Sequence, residues 1–284
     1  MSMLATPQTR RQFLGAAALG ASALAARPAH GSGSAARAGA APRPPLGFPT
    51  YMFKNYTLDQ TVEMTRRAGV RHLCIRSNLL PLDATNEQIA AAIRKVTDAG
   101  LAVYGGGVIY MRNEKAVDRA FEYARAAGFK TISISIRPDL LPLLEKRVRA
   151  FDIRAGIHNH GPEDKHWPTP SAILAKVRTL DKRIGICHDT GHTLRAGADP
   201  MKESLQAAER VFEYHLKDVD SPTAKGHSTE LGRGIMDIPA FLRMLRKTGY
   251  RGVLGIEYEK HMTDLLPGLC ESVGYVRGVM DALA

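Results

Sequence analysis

Residues 153–192 have the sequence IRAGIHNHGPEDKHWPTPSAILAKVRTLDKRIGICHDTGH and show a pattern that repeats along most of the chain. A short apolar run ends at His158, an amphipathic stretch of about a dozen residues follows, and a second apolar run ends at His188. Continuous apolar runs separated by amphipathic stretches are typical of buried parallel strands joined by helices. The stretch therefore predicts one strand–helix–strand unit.

The same alternation extends over the chain from residue 46 onward. The strand candidates are Leu46–Thr50, Arg71–Arg76, Leu101–Gly105, Thr131–Ile136, Ile153–His158, Ile184–His188, Phe212–Leu216 and Gly252–Glu257. Eight strand–helix units of roughly 30 residues predict an α/β fold, a single-domain (β/α)8 TIM barrel over residues 46–284. A doubly wound open sheet is the alternative. It usually has a Gly-rich phosphate-binding turn after its first strand, and Thr50–Lys54 contains no glycine.

The N-terminal segment has a different composition. The 284-residue chain has a net charge of +11, and residues 1–45 contribute five arginines and no acid, leaving +6 for the rest. Arg10 and Arg11 before a weakly apolar Ala/Gly/Leu run predict a twin-arginine-type signal peptide over residues 1–30, and Gly/Ser/Ala/Pro-rich residues 31–45 predict a tether. The run is too short to span a bilayer and too weakly apolar for a stable membrane anchor. We expect an exported, periplasmic protein without a nucleic-acid partner.

Polar residues end four consecutive predicted strands, the fifth to the eighth. They are His158, Asp189, His215 and Glu257. In a TIM barrel the active site lies at these strand ends. A single strand-end histidine is more often structural or a substrate contact than a ligand, but four suitable side chains on adjacent strands favour a metal site. Imidazole and carboxylate together fit one divalent ion of Mn, Zn, Co or Fe, with Mg less suited.

Five segments of the chain resemble a known family. They are Ile157–Gly161, Asp189–His192, His215–Asp218, Leu231–Gly234 and Ile256–Glu259. These motifs are similar to those of the xylose isomerase-like TIM-barrel superfamily, which includes sugar phosphate isomerases and epimerases, and in particular to an exported subgroup with a twin-arginine signal. The resemblance covers about residues 46–284. It implies one divalent metal on Asp189, His215 and Glu257, with His158 in the place where the family usually has glutamate.

The resemblance also implies roles in catalysis and substrate binding. The catalytic candidates are Glu257 as base and His160 or Lys217 for the second proton transfer. His192 and Arg233 match substrate contacts of the family, and Lys54 is a further candidate from its position after the first strand. In the family's epimerases the glutamates of strands five and eight are the two bases, so His158 is incompatible with a two-glutamate mechanism.

The expected function is metal-dependent isomerisation or epimerisation of a keto-sugar or sugar derivative, through loss of an α-proton and an enediolate. Two alternatives stay open: β-elimination by a lyase or dehydratase acting on a 3-keto-glycoside or related sugar, and a non-catalytic sugar-binding module. An apurinic endonuclease of the same superfamily is not expected. Its zinc cluster needs histidines on strands three and four, which Gly105–Met111 and Ser133–Arg137 lack. The oligomeric state is left open.

Overall fold

The computed structural model describes residues 43–283. The predicted signal peptide at residues 1–30 and most of the predicted tether at residues 31–45 lie outside the described residues. The described residues belong to one compact unit.

Ten strands are present in the described part of the chain. In chain order they are β1 (Leu46–Pro49), β2 (His72–Ile75), β3 (Ala102–Met111), β4 (Thr131–Ile136), β5 (Arg154–His158), β6 (Ile184–Asp189), β7 (Val211–Leu216), β8 (Asp218–Val219), β9 (Ser228–Thr229) and β10 (Leu254–Ile256). Eight of them pair in parallel and close into a barrel in the order β1-β2-β3-β4-β5-β6-β7-β10, while β8 and β9 form a separate antiparallel ribbon. The predicted (β/α)8 TIM barrel is therefore confirmed, and the open sheet is excluded.

Strand β3 differs from its prediction. It continues beyond Gly105 through the glycine triplet to Met111. A Cβ atom on Gly105 would lie 2.8 Å from the carbonyl oxygen of Thr131 on β4, closer than side chains normally approach. The glycines thus let two neighbouring backbones pack tightly, and the strand extends beyond its predicted end.

Nine helices are described between the strands. They are α1 (Leu58–Arg67), α2 (Asn86–Asp98), α3 (Glu114–Ala126), α4 (Leu141–Phe151), α5 (Pro170–Val177), α6 (Thr190–Arg195), α7 (Pro200–Gln206), α8 (Ile238–Thr248) and α9 (Leu266–Ala282). Their ends follow local chemistry. Thr85 and Gln88 form a capping box at the start of α2, and α8 begins at the cap Asp237 and ends at Gly249 with φ of 71°. Within residues 43–283, no helix combines the length and apolar character needed to cross a bilayer.

The loop after β5 is packed rather than open. Its Trp167 is 1% exposed and donates its indole N–H to the carbonyl oxygen of Ile136 at 2.6 Å. This tryptophan fastens the loop to the end of β4 and is not a platform for a sugar ring. The polar end of β5 therefore has a fixed position beside the barrel mouth.

Candidate metal centre

The four predicted metal ligands meet at the C-terminal end of the barrel. His158 ends β5, Asp189 ends β6, His215 lies near the end of β7, and Glu257 directly follows β10. All four are buried, and one donor atom from each lies within 4.8 Å of the others. They are brought together because adjacent parallel strands end at the same rim, with His158 paired to Cys187 and Asp189 to His215 in register.

Glu213 determines which nitrogen of His215 faces the cluster. Its Oε1 lies 3.2 Å from His215 Nε2, and its Oε2 accepts a hydrogen bond from Ser133. Burial alone would raise the pKa of Glu213, but the hydrogen bonds from His215 and Ser133 hold it below its ordinary value. A carboxylate only accepts hydrogen bonds, so Nε2 carries a proton and Nδ1 is the nitrogen that faces the cluster.

Two side chains lie close to His215 Nδ1. His158 Nε2 is 3.0 Å away, within hydrogen-bond distance, and Glu257 Oε2 is 2.6 Å away without hydrogen-bond geometry. Burial lowers the pKa of His158 well below its ordinary value, so its ring is neutral. Burial would also lower the pKa of His215, but nearby Cys187 and Glu257 raise it well above normal. The cluster therefore attracts a positive charge to its centre.

The chemistry of this donor set fits a divalent cation. Asp189 Oδ2 lies 3.6 Å from His158 Nε2, and like Glu257 Oε2 it is buried without accepting a hydrogen bond. Two imidazole nitrogens and two carboxylate oxygens form a set typical of Mn, Zn, Co or Fe sites. An ion at the centre would satisfy every one of these converging lone pairs.

Lys217 supplies a permanent positive charge next to the cluster. It is 2% exposed, and its Nζ lies 2.9 Å from Glu259 Oε2, 3.2 Å from Asp189 Oδ2 and 3.9 Å from Glu257 Oε1. Burial lowers the pKa of its ammonium group, but the charges of Asp189 and Glu257 outweigh burial and raise it well above the ordinary value. Lys217 therefore places a positive charge beside Asp189 and Glu257, and its predicted part in proton transfer stays a prediction.

His192 is held as a hydrogen-bond donor toward the cavity. It lies in α6, the helix that begins directly after Asp189. Asp189 Oδ1 accepts the His192 backbone N–H at 2.7 Å. Arg195 Nη1 lies 3.1 Å from His192 Nδ1, and a guanidinium can only donate. Burial lowers the pKa of His192 to about 4, so the ring is neutral, with its proton on Nε2.

His160 has a carboxylate behind it and the cavity in front. Its Nδ1 lies 3.5 Å from Asp164 Oδ2, and its Nε2 lies 3.5 Å from the Tyr110 hydroxyl. The ring is partly exposed and lines the cavity. An imidazole with a carboxylate on one side and a free approach on the other is suited to proton transfer.

The cavity above the cluster has a volume of about 310 Å³. Its walls include His158, His160, His192, His215, Glu257, Glu259, Tyr51, Arg76 and Tyr110. This volume is near the lower end for small-molecule sites, which suits a ligand of the size of one sugar. Histidines, carboxylates, tyrosines and an arginine therefore share its lining.

Two predicted substrate contacts do not reach this cavity. Arg233 is exposed and pairs with Glu271 on α9. The loop that carries Arg233 is fixed by the carboxylate of Asp218, which accepts the backbone N–H groups of Gly232 and Gly234. Lys54 is exposed, with its Nζ 5.5 Å from the centre of the Tyr51 ring, and it does not line the cavity. The structure thus places both residues outside this cavity, and their contact with substrate stays a prediction.

Sequence reasoning missed Glu213 and Arg76. Glu213 lies two residues before His215, so the two side chains share one face of β7, and an acid inside an apolar strand is a signal that could have been used. Arg76 immediately follows β2 and therefore lies at the same rim as the other strand-end residues. Its role depends on tyrosines that are distant in the sequence.

A family model described as "Xylose isomerase-like TIM barrel" matches residues 42–277. The chain is similar to the rhizopine catabolism protein MocC of Rhizobium meliloti, with 26% identity over 147 residues, or 46% of this chain and 45% of that protein. The chain thus matches less than half the length of this curated relative.

Two solved structures have a similar fold. One is the 3-keto-D-glucoside 4-epimerase YcjR of E. coli, with a TM-score of 0.67, 17% identity and coverage of 83% of this chain and 100% of that chain. The other is the IolI protein with a bound zinc atom, with a TM-score of 0.64, 16% identity and coverage of 84% of this chain and 97% of that chain. At these identities the likeness shows the fold alone.

Proposed function

The chain belongs to the xylose isomerase-like TIM barrel family, and we propose that it is a metal-dependent sugar isomerase or epimerase acting on a keto-sugar or sugar derivative. The observation that carries this proposal is the convergence of two imidazole nitrogens and two carboxylate oxygens under a sugar-sized cavity. Supporting relatives are an epimerase of a keto-glucoside and a protein with bound zinc.

His158, Asp189, His215 and Glu257 would hold the ion. When bound, a divalent cation supplies Lewis acidity toward a carbonyl and its neighbouring hydroxyl, which acidifies the α-proton. The proposed ions are Mn, Zn, Co or Fe rather than Mg, because of the two imidazoles.

The residues around the cluster bind and orient the substrate. His192 donates its Nε2–H to a substrate oxygen, since Arg195 occupies Nδ1. Lys217 places a buried positive charge beside Asp189 and Glu257, which favours negative charge that develops on substrate oxygens. Tyr51 and Tyr110 add aromatic surface to the cavity lining.

Two residues of the site can move protons. Glu257 contributes Oε2 to the donor cluster and keeps Oε1 toward Lys217, so one carboxylate oxygen can take up the α-proton. His160 accepts or returns a proton at Nε2, with the Asp164 carboxylate 3.5 Å from its Nδ1. Return of the proton to the neighbouring carbon gives isomerisation, and return to the other face gives epimerisation.

Exchange of substrate protons with solvent tests this proposal. Metal-loaded protein is incubated in D₂O with keto-sugars and 3-keto-glycosides, and deuterium next to the carbonyl is followed by NMR. We expect exchange that a chelator abolishes and that His160→Gln slows at least about tenfold. The exposed loop histidine variant His166→Gln is the matched control. Absence of both bound metal and exchange across the panel would refute the proposal and favour a sugar-binding module.

One observation favours β-elimination as a second candidate. His158 occupies the position where the resemblance predicts a glutamate, so the site has one proton-transfer carboxylate fewer than an epimerase of this family. A lyase or dehydratase needs to remove one proton and expel a β-oxygen, without returning a proton to the opposite face. The same NMR experiment distinguishes the two reactions, because elimination releases the leaving group and gives an unsaturated product.

We also propose that residues 1–30 direct export to the periplasm. The support is the Arg10-Arg11 pair followed by a weakly apolar run. Replacing both arginines with lysine should keep the protein in the cytoplasm during cell fractionation. A variant that still reaches the periplasm would contradict a twin-arginine signal.

A further inference from the structure

Arg76 is an arginine in the wall of the cavity. It follows β2, and its backbone N–H donates to Thr50 Oγ1 at 2.8 Å, which fixes its position at the barrel rim. Its guanidinium carbon lies 4.3 Å from the ring centre of Tyr51 and 5.7 Å from that of Tyr110. The guanidinium therefore lies within cation–π distance of two aromatic rings and lines the same cavity as His158, His215 and Glu257.

The charge of Arg76 has no partner within residues 43–283. No carboxylate of that part of the chain forms an ion pair with it, in contrast to Arg195 and Arg233, which pair with Glu163 and Glu271. The two carboxylates in the cavity wall are engaged elsewhere, Glu259 with Lys217 and Glu257 with the donor cluster. The aromatic rings stabilise the cation but use only its faces, so the N–H groups on its edge remain for a ligand.

We propose that Arg76 binds a carboxylate of the substrate, so that the substrate is a keto-sugar acid rather than a neutral keto-sugar. This inference rests on the proposed function, since it assumes that the opposite end of the ligand lies over the metal cluster. A planar guanidinium can donate two parallel hydrogen bonds to the two oxygens of one carboxylate. It is the one permanently charged basic side chain among the described residues that line this cavity, whereas phosphate sites typically combine several donors. The carboxylate is therefore the better match.

Three ligands that differ only at one carbon test the inference. D-fructose, D-fructuronate and D-fructose 6-phosphate carry a hydroxymethyl, carboxylate or phosphorylated group at C6, and L-sorbose with 5-keto-D-gluconate forms a second neutral and acidic pair. Binding to the metal-loaded protein is measured by calorimetry. We expect the acid of at least one pair to bind about 10- to 100-fold more tightly than its neutral partner, as for a hydrogen-bonded charge pair.

Arg76→Gln should reduce this preference to less than about threefold and leave metal content unchanged. The matched control is Arg112→Gln, since Arg112 is exposed and lies 5.9 Å from the Tyr110 ring but does not line the cavity. It should keep the full preference, because the effect requires a direct contact rather than nearby charge.

The outcomes separate this inference from the proposed function. Equal binding of acid and neutral sugar, no binding of either acid, or a preference that survives Arg76→Gln overturns the role of Arg76. Tighter binding of the phosphate than of the carboxylate overturns the assigned substrate class. Loss of metal binding and of solvent exchange refutes the proposed function instead, and it is measured independently of the ligand preference.

Discussion

Asp189 combines two structural roles, and substitutions can separate them. Its Oδ2 belongs to the donor cluster, whereas its Oδ1 caps α6 by accepting the backbone N–H of His192 at 2.7 Å. Asparagine is as good a helix cap as aspartate, but alanine cannot cap. Asp189→Asn should therefore abolish metal binding and preserve the cap, while Asp189→Ala should abolish both.

The expected magnitudes follow from these contacts. A metal present at 100 times its dissociation constant stabilises the folded protein by about 2.7 kcal/mol. For a domain of this size each kcal/mol corresponds to about 2–4 °C in Tm, so the metal should raise the Tm of the unmodified protein by about 5–11 °C. Both variants should lose this shift. In chelator, Asp189→Ala should unfold about 2–4 °C below Asp189→Asn, because a lost cap costs about 1 kcal/mol.

Thermal unfolding by circular dichroism, with metal content by mass spectrometry, measures both effects. Asp199→Asn is the matched control, since Asp199 caps α7 by the same geometry and lies outside the cavity. It should keep the full metal-dependent shift. A metal-dependent shift in Asp189→Asn equal to that of the unmodified protein would refute the assignment of Asp189 as a ligand. Equal stability of the two variants in chelator would refute its role as a cap.

Two further substitutions test neighbouring positions. Glu213→Gln should weaken metal binding about 10- to 100-fold without unfolding the protein, because it removes the charge that orients His215; unchanged affinity in a metal titration would contradict this role. His158→Glu should retain metal and increase solvent exchange or epimerisation of a keto-sugar, since it restores a second carboxylate base. If deuterium incorporation does not increase, His158 is not the reason that the site lacks a second base, and the prediction is wrong.

Much of the barrel and of the metal cluster was predictable from sequence because the signals are local. Continuous apolar runs predict buried strands, and a polar residue at the end of each run predicts a side chain at the rim. His158, Asp189 and His215 are of this kind. Since parallel strands end at one edge, adjacent strand ends must be close in space. The order of the strands therefore predicts that these residues are close, without knowledge of which side chains contact each other.

The remaining residues of the site depend on contacts that are distant in the sequence. In the sequence, Arg76 does not differ from other arginines that follow a strand. Only the structure shows that its guanidinium lies near the rings of Tyr51 and Tyr110. Arg233 was predicted to contact substrate, but the carboxylate of Asp218 holds the surrounding loop through backbone hydrogen bonds and directs the side chain to solvent. Loop direction of this kind is set by hydrogen bonding across elements and has no periodic pattern in the sequence.

The candidate ligands come from four different strands, and this has a consequence for assembly. His158 and His215, whose rings lie 3.0 Å apart at their closest nitrogens, are separated by 57 positions along the chain, and Glu257 follows the last strand to join the barrel. No fragment that ends before Glu257 contains the complete set, and the contact between β7 and β10 must form before the site exists. Uptake of the proposed metal would therefore require β5, β6, β7 and β10 to be assembled, and bound metal would be a marker of that half of the barrel rather than of any shorter nascent part.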